Sequence, residues 1–65
     1  MIRVNGESIS NYEQKTLQEL LLSRRYEMTK IAVERNGEII PKSQYPTTIL
    51  NENDVLEIVT FVGGG

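Results

Sequence analysis

Cysteine, histidine and tryptophan are all missing from this 65-residue chain. Without cysteine there is no disulfide, no thiolate nucleophile and no zinc-thiolate site, a composition suited to a reducing compartment. Without histidine the commonest general base and imidazole metal ligand are gone as well, leaving scattered carboxylates, lysines and hydroxyls. A self-contained catalytic centre is therefore not expected, and neither is a metal site. No apolar run approaches the roughly 20 residues that span a bilayer. The opening MIRVNGES also lacks the hydrophobic segment of a signal peptide. The expectation is a soluble, cytoplasmic domain. At this length it buries only about 60% of its unfolded surface, too little for a deep internal cleft.

Basic residues are absent from the last fifteen positions. All seven Lys/Arg precede residue 51 and stand against six Asp/Glu there, whereas the remainder carries Glu52, Asp54 and Glu57 alone. The net charge of −2 thus comes from +1 and −3. This acidic end argues against nucleic acid as a partner, as does the absence of a basic stripe interleaved with aromatics. It suits a basic protein surface. Asn51-Glu52-Asn53-Asp54 lacks the ligand spacing of a calcium loop and is expected to be an ordinary turn.

The hydrophobic pattern predicts an alternation of strands around one helix. Ile2 and Val4 share a strand face, and Asn5-Gly6 is a type I′ hairpin signal leading into a second strand over Glu7–Tyr12. Thr16 and Glu19 have capping-box spacing, so a helix is predicted from there, with Leu17, Leu20 and Leu21 on its apolar face. Arg24 and Arg25 suit that helix's C-terminal end. Ile31-Ala32-Val33, Asn36-Gly37 and Glu38-Ile39-Ile40 repeat the hairpin pattern. Pro41–Thr48 is expected to be irregular or 3₁₀, with Tyr45 tucked inward, and Val55–Phe61 to be the last strand. An α+β roll, a mixed four- to five-stranded sheet on one main helix, buries Ile2, Val4, Leu17, Leu20, Leu21, Val33, Leu50, Leu56 and Ile58 together.

Residues 1–62 are then one domain, followed by Gly63-Gly64-Gly65. Glycines cannot extend a packed element, and their backbone can approach another backbone closely. Two readings follow: a frayed, flexible end, or a slim arm that carries a reactive α-carboxylate into another protein's active site. Alternation along the last strand puts Val59 and Phe61 with Glu57 on the face opposite Leu56 and Ile58. Apolar residues rimmed by acid there are candidates for partner binding.

Taken together, Asn5-Gly6, the Thr16 helix, the run from Ile31 to Pro41, the run from Leu50 to Val59 and the close Phe61-Val62-Gly63-Gly64-Gly65 resemble the ThiS family of thiamin-biosynthesis sulfur carriers. The resemblance covers essentially the whole chain. It implies the ubiquitin-like β-grasp fold. It also implies that a ThiF-type, E1-like adenylyltransferase uses Mg²⁺-ATP to activate the Gly65 carboxylate. Sulfur drawn from cysteine by a desulfurase then gives a thiocarboxylate, which passes to a ThiG-type thiazole synthase. The carrier itself holds no cofactor. A chain with no glycine-rich phosphate loop fits that division of labour.

Other classes compete. A molybdopterin-synthase small subunit of the related MoaD type uses the same tail chemistry, but Thr60-Phe61-Val62 lacks its usual proline-containing approach to Gly-Gly. A ubiquitin-like modifier would also use a terminal glycine, and a regulatory β-grasp binding module would leave the tail inert.

Overall fold

The computed structural model describes residues 1–62. Among them are five strands, β1 (Ile2–Val4), β2 (Glu7–Ile9), β3 (Ile31–Arg35), β4 (Glu38–Ile40) and β5 (Val55–Thr60), and one α-helix, α1 (Leu17–Ser23). The strands form a single sheet in the order β2-β1-β5-β3-β4. The β1–β5 pairing is parallel and the others are antiparallel, so the sheet is mixed. The last strand in sequence therefore lies at the centre, between the two hairpins. The expected division at residue 62 and the flexible tail 63–65 lie at and beyond the described residues.

Both hairpins turn through Asn-Gly for the same reason. A type I′ turn needs positive φ at both central residues, which Asn and Gly tolerate best. The φ values are 50° and 85° at Asn5 and Gly6, and 51° and 88° at Asn36 and Gly37. Each asparagine then binds β5. Asn5 N–H donates to the Leu56 carbonyl (2.9 Å), and its side-chain amide accepts from Ile58 N–H (2.7 Å) and donates to the Ile58 carbonyl (3.2 Å). Asn36 N–H donates to the Val55 carbonyl (2.8 Å), and its Oδ1 accepts from Val55 N–H (3.0 Å). Side-chain amides thus extend the β5 ladder where the neighbouring backbone turns away.

The capping box opens α1 as its sequence predicts. Glu19 N–H donates to Thr16 Oγ1 (3.1 Å), and Thr16 N–H donates to Glu19 Oε2 (2.7 Å). That backbone donor holds the Glu19 carboxyl below its ordinary value of 4.5. Leu17, Leu20 and Leu21 are fully buried against the sheet residues Ile2, Val4, Ile31, Val33, Leu56 and Ile58. Every expected core residue is buried, and Ile9, Ile31, Ile40 and Tyr45 join them. Tyr45 follows a 3₁₀ turn at Lys42–Gln44 and packs rather than reacts.

Three boundaries differ from expectation. The second strand ends at Ile9 rather than Tyr12, since Asn11 takes a φ of 74° that a strand cannot continue through. The last strand ends at Thr60, although Phe61 N–H still donates to the Lys30 carbonyl (2.8 Å). The helix ends at Ser23, so Arg24 and Arg25 lie just past its last turn. Arg25 at φ 62° takes the left-handed position usually given to glycine. Arg25 N–H donates to the Leu22 carbonyl and Tyr26 N–H to the Leu21 carbonyl, both at 3.0 Å, closing a Schellman motif.

Candidate functional site

The two faces of the sheet differ. One is covered by α1; the other carries no element of its own among the described residues. Strand alternation sends Leu56 and Ile58 to the covered face and Val55, Glu57 and Val59 to the open one, where all three are exposed. Register completes the open face. Glu34 lies opposite both Ile39 and Glu57, and Ala32 lies opposite Val59. The rows across β4, β3 and β5 are thus Ile39–Glu34–Glu57, then Ala32–Val59, with Phe61 next along the chain. Ile39 is 70% exposed, and Val59 and Phe61 are each 55% exposed. With Val55, 43% exposed on the same face, four large apolar side chains are left uncovered, which suits a surface that something covers.

The three residues expected to bind a partner, Val59, Phe61 and Glu57, therefore sit together and are accessible. Phe61 is not a core residue. The Lys30 carbonyl holds its N–H, so the backbone is secured one residue beyond β5 and two before the first glycine. Val62 follows at 94% exposure. Gly63, Gly64 and the expected reactive Gly65 lie outside the described residues.

The acidic end needs a correction that only the fold could supply. Of Glu52, Asp54 and Glu57, Glu57 alone faces the open sheet. Asp54 is 5% exposed and fully engaged: Oδ2 accepts from Asn51 N–H (2.8 Å) and pairs with Arg35 Nε (3.1 Å), while Oδ1 accepts from Asn36 Nδ2 (3.2 Å). It closes the Asn51–Asp54 turn and ties it to the second hairpin. Glu52 lies in that turn, at the start of β5 and far from its exit. The acid that does accompany Glu57 is Glu34, which sequence reasoning missed. Its signal was strand alternation in β3 combined with a register that no local pattern specifies.

Such a surface can bind but has little to react with. Among the described residues, no group of three or more His, Cys, Asp or Glu side chains could hold a metal ion. No helix among them is long and apolar enough to cross a membrane.

Known proteins share this sequence pattern and fold. The profile of the ThiS family matches residues 1–65. The sulfur carrier protein ThiS of Bacillus subtilis is 44% identical over 66 residues, covering the whole of both chains. A thiazole synthase of Paramagnetospirillum magneticum is 45% identical over 62 residues, which cover 95% of this chain but span only 19% of that protein. Among solved structures, the crystal structure of the thiamine biosynthesis protein ThiS from Geobacter metallireducens superposes with a TM-score of 0.80 at 28% identity, covering 98% of this chain and 97% of that one. The mixed five-stranded sheet with its one helix is thus the ubiquitin-like β-grasp. A whole-length profile match, a full-length carrier relative and a shared fold lead to one conclusion: this chain belongs to the ThiS family.

Proposed function

We propose that this protein is a sulfur carrier for assembly of the thiamin thiazole ring, working as a protein co-substrate in the cytoplasm. The full-length match to the Bacillus subtilis sulfur carrier is the observation that carries this function. In our scheme a ThiF-type enzyme transfers AMP from Mg²⁺-ATP to the Gly65 carboxylate and releases pyrophosphate. Sulfide drawn from cysteine then displaces AMP to leave a thiocarboxylate directly. A persulfide instead displaces AMP to give an acyl disulfide, which a second thiol cleaves to release the thiocarboxylate while the two thiols become a disulfide. A carboxylate oxygen is a poor leaving group, so the phosphoryl chemistry must come first. A thiazole synthase consumes the sulfur. The match to thiazole synthases, which are far longer proteins, supports that partner.

The chain's own contribution is placement. Phe61 is tied to Lys30, Val59 and Phe61 present apolar surface beside Glu57, and glycines follow without a Cβ to obstruct a narrow channel. Ordering each tail residue costs on the order of 1–2 kcal/mol, which a docked sheet face can offset. Intact-mass analysis after incubation with a ThiF-type enzyme, Mg²⁺-ATP and sulfide is the direct test. The expected result is the gain that accompanies exchange of one oxygen for sulfur, absent when Gly65 is deleted or followed by one added residue. No gain with an enzyme active on its own carrier would refute the assignment.

A further inference from the structure

Glu34 and Glu57 stand directly opposite each other on β3 and β5. Both are exposed on the open face. Like charges directly opposite destabilise a sheet, because the Cβ atoms of such a pair are only about 5 Å apart. No ion pair among the described residues relieves either carboxylate: the pairs formed are Arg24–Glu7, Lys30–Glu27 and Arg35–Asp54. The two acids share a row with Ile39; Ala32–Val59 lies one step to one side of them and Val55, with Arg3 beside it on β1, one step to the other, and Arg3 forms no ion pair with either acid. Within the described fold neither carboxylate has a cationic partner, and one external cation can serve both.

A guanidinium suits the pair best. It is planar and permanently charged, and its five N–H donors can serve two carboxylates at once, whereas an ammonium is a compact point charge that is costlier to desolvate. We propose that the open face is the docking surface for the adenylating enzyme, and that an arginine of that enzyme seats between Glu34 and Glu57 while apolar side chains cover Ile39, Val59 and Phe61. The assignment rests on the sulfur-carrier function above and adds the chemistry of the partner's contact. Opposite charge would also steer the encounter, making capture of the carrier sensitive to salt.

The test uses the full-length chain with a purified ThiF-type enzyme. Glu34→Gln, Glu57→Gln, the double variant and Glu52→Gln are compared by KM for the carrier in pyrophosphate release, at low and high salt, and by Tm. Relief of repulsion is expected to raise Tm by about 1–5 °C in each open-face variant. The same variants should raise KM roughly tenfold, with the double variant little worse than either single one and the salt dependence reduced. Glu52→Gln, which removes equal charge from the far turn, should change neither quantity. An unchanged KM in the Glu34 and Glu57 variants, with the carrier still turned over, would overturn the seat and leave the carrier function standing. An equal KM rise in Glu52→Gln would replace the seat with a diffuse field. If the unaltered chain is never adenylated, the carrier function falls and the docking assignment falls with it.

Discussion

The two faces of β5 are made by the same six residues and do opposite things. Leu56 and Ile58 close the core under α1, whereas Val55, Glu57 and Val59 face outward with apolar area uncovered and a carboxylate set against another. One face is satisfied by the chain itself. The other is left uncovered among the described residues. In a domain with so little interior, alternation along a single strand separates what holds the fold from what the fold presents, and the presenting face leads directly to the glycines.

Leu56 and Phe61 give the sharpest way to break that contrast. Leu56→Ala should destabilise by about 2–5 kcal/mol, enough to unfold much of a small domain, because it leaves a cavity at a fully buried site. Phe61→Ala should cost under about 1 kcal/mol in urea unfolding, as expected of a half-exposed side chain, yet weaken loading by the adenylating enzyme. Comparable destabilisation by both would mean that the open face is part of the core after all.

The asparagine that joins the first hairpin to β5 comes next. Asn5→Ala should cost about 2 kcal/mol, since it strips acceptor and donor from Ile58 and forces alanine to positive φ. Asn5→Gly keeps the turn and loses only the amide, so about half that cost would divide the two causes. Equal costs would assign everything to the lost hydrogen bonds.

The smallest effect is expected at the start of α1. The folded-state pKa of Glu19 is depressed, chiefly by the Thr16 backbone donor and despite some opposing desolvation. Its contribution is therefore fully present above the ordinary carboxylate value of 4.5 and is lost as pH falls below it, through the folded-state value. Glu19→Gln should shallow the acid limb of Tm against pH below about 4.5, with the open face unaffected. An unchanged acid limb would show that the capping carboxylate adds nothing measurable.

Local features were legible in the sequence: both Asn-Gly turns, the Thr16–Glu19 cap and the alternation of Leu56 with Glu57 each depend on residues close together in the chain. Long-range register was not. Nothing near Glu34 announces that it will face Glu57, and nothing near Asp54 announces that Arg35 and Asn36 will enclose it. The acidic end, read as one patch, was divided by the fold: Asp54 is buried, Glu52 stays exposed in the same turn, and Glu57 faces Glu34 on the open sheet. The role proposed for Gly65 was legible only as a composition and a resemblance, because the chemistry it implies belongs to a partner protein.

The central position of β5 also bears on the order in which the molecule is made. The hairpins β1–β2 and β3–β4 leave the ribosome first and close through local pairings, but Asn5 must wait for Ile58, 53 positions later. A chain interrupted before that strand is two separate hairpins with their shared seam missing, exposed to proteolysis and unable to display a docking surface. Completion of the sheet therefore waits for the strand whose outer face carries Val55, Glu57 and Val59, so the seam between the hairpins and that face are finished together.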